Sequence, residues 1–239
     1  MNDNSDDFIV MTSGGFTAAH LELKPQLERI LAAQVVTATT SVGTGDISII
    51  SRLRRGERAD LVIVAEGFMR ELVEEGHVRA ESWRALAQSS IALAVRAGEP
   101  APDISSPDAL RRTFLAAKTV AYSASVSGKY LTTELYQQLG IADEMLPRSH
   151  FTGGGERTGA VVARGDADLA VQQLSELLPV EGIAHITPLP GELNRVTRIC
   201  AGIGSSSPDA ERAAVAIAFL NSIDAKSAIE STGLEALTA

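Results

Sequence analysis

The stretch ARGDADLAVQQLSELL, Ala163 to Leu178, holds the pattern that decides the fold. Arg164 and Gly165 end a helix, and Asp166 to Asp168 lead into an apolar run, Leu169 to Val171. The neighbouring amides Gln172 and Gln173 follow, and then a helix-like LSELL. Nearly the same order occurs earlier, in RRGERADLVIVAEGFMREL (Arg54 to Leu72). A buried strand that ends in polar side chains and turns into a helix is half of a βαβ unit.

Working outward, strand-like runs lie at 8–13, 35–41, 60–65, 90–98, 118–123, 150–153, 168–173, 183–189 and 195–204. Helix-like runs separate most of them, at 16–34, 46–56, 67–76, 106–117, 126–140 and 156–165, and a long helical segment closes the chain at 207–233. Pro25 predicts a kink in the first helix. Asp46 is a candidate cap and Gly56 a candidate stop for the second. The alternation predicts parallel strands with helices on both faces. The twin Ala-Asp-Leu segments predict two similar α/β lobes.

Composition agrees. The 239 residues are 45% hydrophobic and 21% charged, enough apolar material for a proper core. Aromatics are only 4%, which suits aliphatic helix-on-sheet packing. The net charge of −9 disfavours nucleic acid or an anionic membrane as partner. A lone cysteine, Cys200, reads as a buried strand residue, and the four histidines show no metal-ligand spacing. No cofactor and no metal are expected. The acidic start, MNDNSDDFIV, is not a secretory leader. No apolar run approaches the roughly 18–20 residues that span a bilayer, so stable membrane insertion is not expected. The chain as written reads as cytoplasmic, or as periplasmic if a leader was removed.

In open α/β sheets, ligands bind beyond the carboxyl ends of the strands. Four segments at such ends are rich in Ser, Thr and Gly, and each leads into a helix: 12–17, 39–46, 122–130 and 151–159. Helix starts offer unpaired N–H groups and a partial positive charge to an oxyanion. Ser13, Gly14, Gly15, Thr44, Gly45, Ser125 and Ser127 are therefore candidate ligand-binding residues. Lys129 and Arg157 could pair with a carboxylate. Of Gln172 and Gln173, at most one should face the ligand, because successive strand residues point to opposite faces. Each of these also has a plain structural explanation: a turn, a cap or a solvated helix face. For acid–base chemistry, Glu66, Glu156 and His20 stand near strand ends, and no Gly-x-Ser-x-Gly elbow exists.

The order of segments resembles the type II periplasmic-binding-protein fold, most closely the molybdate-binding proteins of ABC importers and their relatives. The matching stretches are IVMTSGGFTAAHLEL, ISRLRRGERADLVIVAEGFMREL, SGKYLTTELYQQLGI, VVARGDADLAVQQLSELL and AIAFLNSIDAKSAIESTGLE. The resemblance implies two doubly wound lobes joined by hinge strands and closing on a ligand in the cleft between them. Lobe 1 would take 1–88 and 188–239, and lobe 2 would take 89–187. An ABC permease would be the partner if the chain is exported.

The departures from molybdate binders concern the ligand. Gly15 stands where those proteins usually offer serine, TSVGTGD replaces their paired serines, and Gln173 stands where a tyrosine is common. Arg157 enters a loop that is usually uncharged. A cationic, amide-bearing pocket suits an organic polycarboxylate better than molybdate. The expected function is capture of such a small anion. One alternative is an isomerase that shifts a proton and double bond in a small polycarboxylate, as in the divergent branch that includes aconitate isomerase. Another is the molybdate- or tungstate-binding component of an importer.

Overall fold

The computed structural model describes residues 6–39, 41–42, 45–153 and 156–238. The chain begins with β1 (Phe8–Thr12), α1 (Gly14–Leu31), β2 (Val35–Thr39), α2 (Ile49–Arg54), β3 (Leu61–Ala65), α3 (Glu66–Glu74) and β4 (Arg84–Ser89). It continues with β5 (Ile91–Arg96), α4 (Pro107–Ala116), β6 (Val120–Ser123) and α5 (Val126–Tyr130), then a π-helical turn over Leu131–Leu135. Next come α6 (Tyr136–Gln138), α7 (Ala142–Met145), β7 (Ser149–Thr152), α8 (Thr158–Ala163), β8 (Leu169–Gln173), α9 (Leu174–Leu177) and β9 (Ile183–Pro188). It ends with β10 (Thr197–Ile203), α10 (Ala210–Leu220), α11 (Ile223–Ser231) and β11 (Glu235–Ala236).

Two compact units result, Met1–Ser89 with Arg198–Ala239, and Ser90–Thr197. The first holds a sheet ordered β11-β4-β10-β3-β1-β2, the second a sheet ordered β7-β6-β8-β5-β9. Residues 188–197 fall in the second unit, whereas the resemblance assigned them to the first lobe. Their bonds explain why. Leu189 N donates to the Ile91 carbonyl at 2.9 Å, Asn194 Oδ1 accepts from Ile91 N at 3.1 Å, and Arg195 makes a bidentate pair with Glu134.

Helices cover both faces of each sheet, as the aliphatic strands require. Alternate residues of β3 divide between two cores: Leu61 and Ile63 pack with α1, α10 and α11, while Val62 and Val64 pack with α2 and α3. In the second unit Leu93 and Val171 face one core, Ala94 and Ala170 the other.

The expected parallel pairing holds for β1 with β2 and β3 and for β6 with β7 and β8, but not throughout. β10 runs antiparallel to β3, and β5 runs antiparallel to both β8 and β9. These are the strands that follow or lead the two chain crossings, where no crossover helix imposes a parallel return. Ser48 caps α2 in place of Asp46, its hydroxyl accepting from Ser51 N at 3.2 Å. Pro25 lies inside α1, which runs unbroken through it. The C-terminal helical segment breaks at Asn221 and Ser222. The helix-like LSELL forms as α9, whereas β4, α7 and β11 were not anticipated.

The twin segments do the same work twice. After α2, Gly56 N bonds the Leu53 carbonyl at 2.9 Å and Glu57 N bonds that of Arg52 at 3.1 Å. After α8, Gly165 N bonds Val162 at 2.9 Å and Asp166 N bonds Val161 at 3.0 Å. Both are Schellman stops, and both glycines sit at the positive φ such a stop requires, 80° and 85°. The aspartates then tie the incoming strand to its neighbour. Asp60 Oδ2 accepts from Ile9 N of β1 at 2.8 Å. Asp168 Oδ2 accepts from Lys118 N at 2.6 Å and Thr119 N at 3.3 Å, just before β6.

Asp60 is buried, and Arg58 and the Ser207 hydroxyl also bond it, at 2.9 and 2.7 Å. Asp168 is exposed. Removing a buried, multiply bonded carboxylate strands its donors, whereas water replaces an exposed one. Asp60→Ala should therefore cost about 3 kcal/mol of unfolding free energy and Asp168→Ala about 1 kcal/mol, measured by urea denaturation.

Candidate functional site

The ends of β6 and β8 lie side by side in the second unit and carry a polar cluster centred on Gln172. The Gln172 side-chain oxygen accepts from Ser125 Oγ at 3.1 Å, from Ser127 Oγ, and from the backbone N–H of Gln173 at 3.0 Å. Its Nε2 donates to Ser123 Oγ at 2.7 Å. Ser125 Oγ lies 3.0 Å from Ser123 Oγ and 2.8 Å from Ser127 Oγ. The Gln173 N–H fixes which end of the amide is oxygen, since an NH₂ there would face another donor. The Gln172 oxygen is therefore an acceptor for the Ser125 and Ser127 hydroxyls, which also bond each other. An incoming oxyanion can recruit them by rotation about the Cβ–Oγ bonds.

Gln173 points the other way, as strand alternation demands. Its Nε2 donates to Thr197 Oγ1 at 2.9 Å, and its buried Oε1 has no partner among the described residues. Both amides are buried, 3% and 4% exposed, so every missing bond is costly.

Gly128 lets this cluster form. A Cβ there would lie 1.9 Å from the Ser123 carbonyl oxygen. Only glycine permits α5 to start so close to the end of β6. Ser125 is the N-cap residue of α5, and its hydroxyl bonds the cluster rather than the helix.

Two cations stand at helices that pack on β6 and β8. Arg157 precedes α8 and is exposed, as is Lys129 on α5. Neither makes an ion pair among the described residues. Glu176, on α9 three residues past Gln173, was not among the residues the sequence singled out. It is partly buried, and its carboxylate makes no hydrogen bond or ion pair among the described residues. Burial pushes its carboxyl up to about 7, with Arg157 pulling in the opposite direction. The sequence signal for Glu176 was its place one turn beyond a strand end. That signal was hidden because Glu on a short helix ordinarily faces water.

The other acid–base candidates are engaged elsewhere. Glu66 opens α3 and pairs with Arg70 at 2.6 Å and Arg198 at 3.7 Å. Glu156 pairs with Arg164 at 2.7 Å. His20 is fully buried on α1, where its Nε2 meets Thr37 Oγ1 at 2.8 Å. Burial, with Lys24 nearby, pushes its pKa down to about 4, so it is neutral at ordinary pH. It belongs to the helix–sheet packing of the first unit.

In that unit Ser13 directly follows β1 as the N-cap residue of α1, and Gly14 and Gly15 are the first helical residues. Gly45 is exposed, with φ of 102°. Thr44 lies outside the described residues. Among the described residues no group of three or more His, Cys, Asp or Glu side chains could hold a metal ion.

The family model described as bacterial extracellular solute-binding protein matches residues 8–235. The chain belongs to this family. A curated relative in Pseudomonas sp., aconitate isomerase, is 37% identical over 231 residues, covering 96% of this chain and 88% of that protein. Among solved structures, the periplasmic molybdate-binding protein of Azotobacter vinelandii superposes with a TM-score of 0.73 at 16% identity, over 95% of this chain and 98% of that one. The PBP AgtB from A. tumefaciens R10, in complex with agropinic acid, gives 0.69 at 13% identity, over 97% and 83%. At such identities the structural likeness establishes the fold, which is that of the type II periplasmic binding proteins. Among the described residues of this solute-binding-family member, no helix is long and apolar enough to cross a membrane.

Gly128→Ala tests the close approach. A methyl group driven into a backbone oxygen must displace α5 or β6, at a cost of about 2–3 kcal/mol. Urea unfolding should show that loss, and unchanged stability would mean that the helix start can shift freely.

Proposed function

We propose that this protein binds a small polycarboxylate and isomerises it, moving a proton and a double bond as an aconitate isomerase does. The observation that carries this reading is the 37% identity to that enzyme across nearly the whole of both chains. The chemistry at the ends of β6 and β8 supports it. Unpaired Arg157 supplies the planar, permanently charged fork that suits a carboxylate. Lys129 adds a second positive charge on the same unit, and the serine hydroxyls supply neutral donors that turn towards an oxyanion.

The reaction needs little from the protein. In propene-1,2,3-tricarboxylate, a base removes a proton from the methylene carbon. The electron pair spreads over the allyl system and into the adjoining carboxylates. Return of a proton to the other end of the allyl system moves the double bond by one carbon, and the geometry of the new double bond makes the product cis or trans. Atoms and electrons balance with no further reactant. Positive charge and fixed donors stabilise the enolate-like intermediate.

The family description favours a second reading, capture of the same kind of anion without chemistry, for sensing or for delivery to an ABC permease. NMR separates the two. Incubated with trans-aconitate, the protein should produce the cis isomer. Binding without any interconversion at high protein concentration would leave only the second reading. Arg157→Ala should weaken aconitate binding by about 2 kcal/mol, roughly thirty-fold. Unchanged affinity would remove Arg157 from the site.

A further inference from the structure

Among the described residues, Glu176 is a partly buried acid whose surroundings give it no structural task. Glu156 is held by Arg164, and Glu66 by Arg70 and Arg198. His20 sits in the packing between α1 and β2. Glu176 follows directly on the strand that ends in Gln172 and Gln173. Its helix packs on α8, the helix that opens at Arg157, and on β5, β8 and β9. A partly buried carboxylate with no protein donor bonded to it loses part of its hydration without recompense.

Resting on the isomerase reading above, we propose that Glu176 carries the proton: its carboxylate takes a hydrogen from the ligand's methylene carbon and returns one to the far end of the allyl system. No electron is gained or lost, and Glu176 ends as it began. The arrangement suits the step in two ways. A carboxylate that partial burial strips of some of its hydration is a stronger base than a fully solvated one. The Arg157 charge that Glu176 feels can bind substrate carboxylate without neutralising the base, since the two make no direct ion pair. The carboxyl's raised value of about 7 lets it accept and release a proton near neutral pH.

The test uses the full chain and trans-aconitate in D₂O. Wild-type protein should exchange the methylene and vinyl hydrogens for deuterium while forming the cis isomer. Glu176→Gln, which removes the charge and keeps the shape, should slow both exchange and isomerisation at least a hundredfold. It should still be stabilised by trans-aconitate in a thermal-shift titration. Glu156→Gln should keep at least a third of the wild-type rate. The proposal is overturned if Glu176→Gln exchanges within threefold of wild type. It is also overturned if the substitution abolishes aconitate binding together with turnover, which would make Glu176 a binding group, or if activity is lost in Glu156→Gln instead. Wild-type protein that binds aconitate without any exchange overturns the isomerase reading itself, and this proposal with it.

Discussion

One buried amide organises the polar strand ends of the second unit. Gln172 lies at the last turn of a fully buried strand, where its oxygen gathers three donors and its nitrogen supplies a fourth bond. A buried amide with even one empty position costs a large part of a domain's marginal stability. The neighbouring backbone must therefore come to it. The 123–127 turn curls so that three serine hydroxyls converge, and α5 is pressed against β6 so closely that only glycine fits at position 128. The serines are thus held rigidly but not committed, because a hydroxyl can trade Gln172 for a ligand by one bond rotation.

The electrostatics divide cleanly around that anchor. The centre is neutral and dense in hydrogen bonds, and Lys129 on α5, Arg157 at the start of α8 and Glu176 on α9 make no mutual ion pairs. In contrast, most other charges nearby are neutralised by partners, as Glu134 is by Arg195 and Glu156 by Arg164. Unpaired charge persists where something other than the protein completes it.

Much of the fold was legible because backbone chemistry writes itself into local sequence. Gly56 and Gly165 mark helix stops that need positive φ, and Asp60 and Asp168 mark strand entries that need an acceptor for a neighbouring N–H. The amides Gln172 and Gln173 stood out because polar side chains are rare at the end of an apolar strand. The antiparallel strands were not legible, since periodicity reports burial and not direction. β4 was missed because ESWRALAQS mixes exposed arginine with small residues and never alternates cleanly. The acid–base candidates were only partly legible. His20, Glu66 and Glu156 sat at suitable positions in the chain, but burial and arginine partners take them up, and those partners lie between 4 and 132 residues away. Glu176 gave the opposite picture: an ordinary helical glutamate in sequence, and in three dimensions a carboxylate left without a partner.

The central claim is that the second unit's strand ends present a site built for several carboxylates rather than for a tetrahedral metal oxyanion. Calorimetric titration of the full chain with trans-aconitate, with molybdate and with acetate measures it most directly. The account predicts saturable binding of the tricarboxylate, at least a hundredfold weaker binding of acetate, and none of molybdate. Tight molybdate binding with no heat from the tricarboxylate would contradict it.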